Sequence, residues 1–289
     1  MKLSMLTDHL NTLFGDEGAV RAIAEAGFDA VDFSMFYMDK ADCPLHKSDY
    51  RGYVKNLKTV SEHYGICFNQ AHAPFPAYKP NDASYNSQMF LNLIKAIECA
   101  GILGVKNIVV HPVALPDKST QLDFNVKFYN SLLPYAKEYG VKIALENMFG
   151  RDRRRGYIVS NVCSTGEELA RYRDSLDSEW FSVCLDIGHC GLIGQEASDA
   201  IHALGGRLSA LHVHDNSYRD DNHTLPYLGA INWDSVLKAL ADVNYNGDFT
   251  YEAMNFLHGF DKELMPVVLR FMHDVGRYMI EKIEQYKNQ

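Results

Sequence analysis

Residues 211–216 read LHVHDN, a short apolar run that carries His212 and His214 two positions apart. Side chains of a β-strand alternate between two faces, so both imidazoles share one face while Leu211 and Val213 share the other. A titratable group on an inward face is costly unless it is paired or bound to a metal. The stretch therefore indicates either two tolerated histidines near a strand end or a strand that delivers ligands to a site.

Similar runs recur along the chain and alternate with helical patterns. The eight predicted strands are Leu3–Leu6, Ala30–Met35, Ile66–Asn69, Asn107–Val110, Val141–Leu145, Phe181–Leu185, Leu208–His214 and Asp248–Glu252. The predicted helices are Glu17–Ala26, Tyr50–Tyr64, Ser87–Leu103, Asn125–Tyr139, Thr165–Ser175, Ala197–Leu204, Trp233–Val243 and Lys262–Tyr286. Repeated strand–helix units predict a parallel sheet.

Eight such units in 289 residues match the usual size of a closed (β/α)8 TIM barrel. No linker or change of composition divides the chain, so we expect a single α/β domain over residues 1–289. A doubly wound sheet is the structural alternative. No glycine-rich phosphate loop follows the first strand, which argues against that alternative and against a nucleotide cofactor.

Composition narrows the function classes. The chain is 47% hydrophobic, and its 28 basic and 37 acidic residues give a formal charge of −9, which argues mildly against nucleic acid as a partner. No stretch of about 18 apolar residues and no signal peptide is found, so no membrane span is expected. The six cysteines form no CxxC pair, and we expect a reducing, cytoplasmic location.

Metal-competent side chains stand at the carboxyl ends of six consecutive predicted strands, where TIM barrels form their active sites. They are His72, His111, Glu146, Asp186 with His189, His212 with His214, and Glu252. Two glutamates, an aspartate and a histidine that converge on the barrel axis suit Mn²⁺, Zn²⁺, Mg²⁺ or Co²⁺ and leave positions for substrate oxygens. The sequence therefore predicts a divalent-metal site.

Two loops add candidates. Asp221 and His223 form an Asp-x-His pair after the seventh strand, a chelating spacing that could complete further metal positions beside His72, His111 and His189. Residues 150–159 read GRDRRRGYIV. Its four arginines, Arg151, Arg153, Arg154 and Arg155, indicate either a solvated irregular loop or an anion-recognition loop over the site.

The segments LENM (145–148), CLDIGH (184–189) and LHVHDN, followed by DDNHTLPYLGAINW (220–233), resemble the xylose-isomerase-like TIM-barrel superfamily. That superfamily includes sugar phosphate isomerases and epimerases and the zinc-dependent apurinic-site endonucleases. The resemblance covers nearly the whole chain. It distinguishes the superfamily well and its individual members poorly.

The ketose 3-epimerase branch implies one metal held by Glu146, Asp186, His212 and Glu252. The same two glutamates would exchange the substrate proton, and His189 would contact a substrate oxygen. An arginine that assists in that branch falls here on Tyr218, with Arg219 adjacent, which is a departure from the epimerase pattern. His214 is a candidate partner either for a substrate hydroxyl or for a metal ligand.

The endonuclease branch uses three zinc ions and adds five ligands. Those positions match His72, His111, His189, Asp221 and His223. The favoured expectation is a metal-dependent sugar or sugar phosphate isomerase or epimerase that transfers protons through a metal-stabilised enediolate. The alternatives are an apurinic-site phosphodiesterase and a non-enzymatic sugar-binding barrel. The resemblance leaves the oligomeric state open, although barrels of this kind often pair.

Overall fold

The computed structural model describes residues 1–152 and 154–289, apart from the side chain of residue 39. These described residues form ten strands, with the following bounds: β1 Leu3–Leu6, β2 Ala30–Ser34, β3 Cys67–His72, β4 Asn107–Val109, β5 Lys142–Glu146, β6 Phe149–Arg151, β7 Ile158–Ser160, β8 Phe181–Asp186, β9 Leu208–His212 and β10 Phe249–Tyr251. Eight of them form one parallel sheet in the order β10-β1-β2-β3-β4-β5-β8-β9. This is the predicted (β/α)8 barrel, which is confirmed.

Helices connect the strands on the outside of the barrel. Their bounds are α1 Leu10–Glu25, α2 Tyr50–His63, α3 Ala83–Leu103, α4 Gln121–Tyr139, α5 Gly166–Asp174, α6 Ile187–Leu192, α7 Ala197–Leu204, α8 Trp233–Asp242, α9 Met254–Leu257 and α10 Met265–Lys287. Short 3-10 turns lie at Phe36–Asp39, Pro44–His46, Lys118–Thr120, Gly205–Arg207 and Lys262–Leu264. Within the described residues, no helix has both the length and the apolar character needed to span a bilayer.

The barrel closes between β9 and β10 through the backbone of Val213. The Val213 N–H donates to the Thr250 carbonyl at 2.8 Å, and the Glu252 N–H donates to the Val213 carbonyl at 3.1 Å. The segment LHVHDN (211–216) therefore closes the barrel through Val213 and also carries His212 and His214.

Small side chains fill the barrel axis below the site. Val109, Ala144, Cys184 and Ala210 form a buried cluster of their own. The larger alternate residues of the same strands, such as Ile143, Leu145, Leu185 and Leu211, belong to the main core under the helices. This division follows the predicted alternation of faces, and it leaves the ends of the inward face to the polar residues.

Several element bounds differ by a few residues from the sequence expectations, and α1, the arginine-rich segment and two short helices differ most. Helix α1 begins at Leu10, before the predicted Glu17, because it continues through a kink at Gly15, where φ is 71°. The arginine-rich segment is an antiparallel hairpin of β6 and β7 rather than an irregular loop. Arg153, one of the arginines in that prediction, lies outside the described residues. Helices α6 and α9 were not predicted.

Candidate metal centre

The carboxyl end of the barrel brings the four predicted metal ligands into one cluster. Glu146, Asp186 and His212 end strands β5, β8 and β9, and Glu252 directly follows β10. One ligand atom from each residue lies within 4.8 Å of the others, and all four residues are buried. Their convergence agrees with the sequence analysis, and their role as ligands remains a proposal.

His212 lies between the two glutamates. Its Nδ1 is 2.7 Å from Oε1 of Glu146 and 3.2 Å from Oε2 of Glu252. Asp186 is held from the other side by His214, whose Nε2 lies 2.9 Å from Oδ1 and 3.1 Å from Oδ2. His214 thus contacts a proposed ligand, as expected for a residue that orients the metal ligands.

A second group shares Glu146 with the first. His72 ends β3, and His111 follows β4. The Nε2 atom of His111 lies 2.9 Å from Oε2 of Glu146 and 3.1 Å from Nε2 of His72, which is itself 3.5 Å from the same carboxylate oxygen. Two imidazole nitrogens around one carboxylate oxygen form a donor set that suits Zn²⁺ or a related ion.

A third group forms around Asp221 in the loop after β9. Its Oδ2 lies 2.9 Å from Nε2 of His223 and 3.5 Å from Nε2 of His189. His214 stacks on His223 with ring centroids 3.9 Å apart. The structure therefore brings the predicted Asp-x-His pair against the strand-end cluster, and His214 joins that group.

Backbone carbonyls fix the orientation of three imidazoles. The Nδ1 atoms of His72, His189 and His223 lie 2.8, 2.8 and 2.7 Å from the carbonyl oxygens of Ala73, Asn147 and Glu252. A carbonyl only accepts, so each Nδ1 donates and each neutral ring keeps its Nε2 lone pair for the site. This outer-shell arrangement is typical of histidines that bind metals.

The pKa values of the two glutamates are shifted in opposite directions. Burial would raise the pKa of Glu146, but His212 and His111 outweigh it and bring the pKa well below its ordinary value. At Glu252 burial dominates over the neighbouring histidines, and the pKa is raised. Paired groups whose pKa values are pushed apart are the pattern expected of a general base and a general acid.

The remaining groups show how strongly the site attracts positive charge. Burial would raise the pKa of Asp186, but His189 and His214 lower it to about 2. Burial would lower the pKa of His189, but Asp186 and Asp221 raise it to about 10. Burial would also lower the pKa of His223, but its neighbours, mainly Asp221, raise that pKa to about 9.

The donor set fits divalent metal ions. Carboxylate oxygens and imidazole nitrogens make up all three groups. The buried Oδ1 of Asp221 has no hydrogen-bond partner among the described residues, and the described contacts of Oε2 of Glu146 are the imidazoles of His72 and His111. A buried carboxylate oxygen without a partner is costly, and a bound cation would satisfy it.

Asn147 is a site residue that the sequence analysis did not single out. Its side chain donates to the carbonyl of Asp186 at 2.9 Å and accepts from the N–H of Asp186 at 2.7 Å. Its own carbonyl accepts from His189. Asn147 directly follows Glu146 in LENM, so its position beside a candidate ligand was the available signal.

The hairpin of β6 and β7 packs beside the third group. Phe149 lies edge-on to His189 with ring centroids 5.0 Å apart, and Arg151 forms a 2.6 Å ion pair with Asp220. Arg219, the predicted substrate contact, is exposed, and no hydrogen bond or ion pair joins it to the clusters among residues 1–152 and 154–289. Its role remains a prediction.

Fold and site together define a TIM-barrel protein with a candidate divalent-metal centre at the barrel mouth. A model of the xylose isomerase-like TIM barrel family matches residues 20–266. The chain belongs to this family, as the sequence analysis expected.

Two related sequences illustrate its range. An uncharacterized protein of Methanocaldococcus jannaschii is 30% identical over 244 residues, which cover 80% of each chain. A probable ketose 3-epimerase of Synechocystis sp. is 28% identical over 248 residues, which cover 82% of this chain and 77% of the other.

Two solved structures share the fold. A D-tagatose 3-epimerase-like protein superimposes with a TM-score of 0.74 at 23% identity, covering 99% of both chains. The IOLI protein, crystallised with a zinc atom, gives a TM-score of 0.72 at 19% identity and also covers 99% of both chains.

Proposed function

We propose that this protein is a divalent-metal-dependent isomerase or epimerase of a sugar or sugar phosphate. The observation that carries the proposal is the placement of Glu146 and Glu252 on either side of Nδ1 of His212, at 2.7 and 3.2 Å. Two carboxylates that border the position of a bound metal ion can both reach a substrate carbon held next to that ion. The ketose 3-epimerase name of one relative supports this substrate class.

The two glutamates would carry the proton transfer. A divalent ion held by Glu146, Asp186, His212 and Glu252 would supply Lewis-acid help by polarising substrate oxygens and acidifying the adjacent C–H bond. Glu146 or Glu252 would remove the proton as general base, and the other glutamate would return one. Both carboxylates border Nδ1 of His212, so either can serve a substrate held at the metal.

An aromatic surface beside the second group would bind the C–H face of a sugar. Phe75 is 43% exposed and stacks on His111 with ring centroids 4.8 Å apart. Phe36 packs edge-on against Phe75, also at 4.8 Å. His189, buried and anchored on the carbonyl of Asn147, would present its Nε2 to the metal or to a substrate hydroxyl.

The test is exchange of substrate hydrogen with solvent. Metal-loaded protein is incubated with a panel of ketoses and ketose phosphates in D₂O, and deuterium at the carbon next to the carbonyl is followed by NMR. Glu146→Gln and Glu252→Gln should each slow exchange by at least about 100-fold, because general acid–base catalysis contributes about 10²–10⁴.

A third variant controls for loss of a buried carboxylate. Glu98 is buried and pairs with Arg51 and Tyr50 on the helical layer, away from the strand ends. Glu98→Gln should keep the wild-type exchange rate. Near-full exchange in either Glu146→Gln or Glu252→Gln would refute the proton-transfer assignment.

A second candidate function is hydrolysis of abasic DNA. The observation in its favour is that the added ligands expected from the endonuclease branch lie in contact with the first four or with one another; they are His72, His111, His189, Asp221 and His223. The discriminating measurement is metal content together with nicking of an abasic oligonucleotide. One metal ion per chain with no nicking would eliminate this candidate.

A further inference from the structure

A buried carboxylate lies below the metal centre, inside the barrel. Asp32 is in the middle of β2 and is fully buried. Gln70 on β3, its partner in the sheet register, donates to Oδ2 of Asp32 at 2.7 Å. The other oxygen, Oδ1, has no hydrogen-bond partner among the described residues. A buried carboxylate with so few partners is costly, and a structural role for it must offset that cost.

Among the described residues, the basic group nearest to Asp32 is His212, through the ring nitrogen that points away from the two glutamates. The Nε2 atom of His212 lies 3.6 Å from Oδ2 of Asp32 and, in the described part of the chain, makes no hydrogen bond. No other basic side chain of residues 1–152 and 154–289 is within 4.0 Å of this carboxylate. The distance is about 0.7 Å longer than an ordinary N–H···O bond.

His212 is turned the opposite way from its neighbours. His72, His189 and His223 direct Nε2 into the site, whereas His212 directs Nδ1 toward Glu146 and Glu252. A neutral imidazole that offers Nδ1 to a metal must carry its proton on Nε2. That N–H needs an acceptor on the barrel floor, and a carboxylate there also increases the basicity of the ligand.

We propose that Asp32 is a positioning residue for the metal centre: it accepts the Nε2 proton of His212 and so fixes Nδ1 as the ligand atom. Gln70 holds the carboxylate in place by occupying one side of Oδ2. The proposal rests on the metal-binding part of the proposed function and is independent of the substrate and the reaction.

The buried thiol of Cys184 is the competing partner. Burial raises the pKa of this thiol to about 12, and the nearby His212 opposes that rise, so the thiol also lies beside this ring. A thiol is a weak acceptor compared with a carboxylate, which is why the proposal assigns the role to Asp32.

The test measures Co²⁺ binding to the metal-free protein by calorimetry and by the visible spectrum of the bound ion. Asp32→Ala removes the acceptor, and Asp32→Asn keeps an acceptor of the same shape without its charge. Loss of such outer-shell partners typically weakens metal binding by about 10–100-fold. We expect a loss in that range for Asp32→Ala, a smaller loss for Asp32→Asn, and a changed Co²⁺ spectrum in both.

Two control variants separate positioning from general damage to the barrel floor. Thr250→Val removes the buried Ser4–Thr250 hydrogen bond of 2.8 Å, which lowers stability without touching His212, and should leave the Co²⁺ affinity within about twofold of wild type. Cys184→Ala should do the same. Wild-type affinity and spectrum in both Asp32 variants would overturn the proposal, as would a larger loss in Cys184→Ala than in Asp32→Ala. Absence of sugar exchange with the Asp32 effect intact would count against the proposed reaction alone.

Discussion

Replacing Gly188 with alanine tests whether the close contact between Gly188 and the His214 ring is needed to hold His214 against Asp186. A Cβ on residue 188 would lie 2.0 Å from Cε1 of His214 and 2.6 Å from both of its ring nitrogens. Non-bonded heavy atoms prefer separations of about 3.5–4.0 Å, so the ring would have to retreat by about 1.5 Å. His214 is fully buried, and such a displacement would break its 2.9 Å contact with Asp186.

The expected loss of stability follows from these two effects. Overpacking a buried site costs about 1–3 kcal/mol, and losing a hydrogen bond to a charged group costs about 1.5–3 kcal/mol. We therefore expect Gly188→Ala to lower the free energy of unfolding of the metal-free protein by about 3–5 kcal/mol. Co²⁺ binding should weaken by about 10–100-fold, because Asp186 loses its orienting partner.

Urea unfolding and Co²⁺ titration check both numbers against two matched glycines. At Gly191, on the same helix α6, a Cβ would lie 2.0 Å from Cε1 of Tyr218, so Gly191→Ala should lose stability but keep its metal affinity. At Gly206 nothing lies within 4 Å, and Gly206→Ala should change stability by less than about 0.5 kcal/mol. A Gly188→Ala protein with wild-type stability and affinity would refute the reasoning, as would equal metal loss in Gly191→Ala.

Three further outcomes are expected. Removal of bound metal with a chelator should lower the melting temperature measured by calorimetry. Metal present at 100 times its Kd stabilises the folded state by about 2.7 kcal/mol, so equal melting temperatures with and without metal would contradict a metal centre. Asn147→Ala should cost about 2–3 kcal/mol in urea unfolding, because both backbone groups of Asp186 lose a buried partner, and a change below about 0.5 kcal/mol would argue against that role. If the hairpin recognises an anionic substrate, replacing the exposed Arg154 and Arg155 with glutamine should raise KM for a phosphorylated sugar at constant kcat, and an unchanged KM would exclude this recognition.

The strand ends were predictable because two simple constraints act on them. Parallel strands in a closed barrel deliver their carboxyl ends to one face, and alternation decides which side chains point inward. Both constraints can be read from segments such as LENM and LHVHDN, so the convergence of Glu146 and His212 followed from the sequence. The position of Asp32 did not follow from the sequence, because Asp32 lies mid-strand, and only the sheet register places it beside Gln70 and near His212.

Short elements escaped prediction for a different reason. Helix α6 has six residues, too few to show a helical period, and it begins where the Asp186 side chain accepts from the N–H of His189. The hairpin of β6 and β7 has three-residue strands, and no common turn dipeptide lies in the sequence between them. A metal ligand was one of the two partners predicted for His214, but the choice of Asp186 among the ligands could not be anticipated, because it depends on the turn made by α6.

The contact that closes the barrel implies that metal binding would also affect the stability of the barrel. Strands β9 and β10 meet through the backbone of Val213, and the proposed ligands His212 and Glu252 stand on opposite sides of that seam. An ion bound by both would act as a cross-link between the last two strands of the ring. Metal loading and completion of the barrel would then be coupled events, and loss of the ion would weaken the seam beside the candidate metal centre.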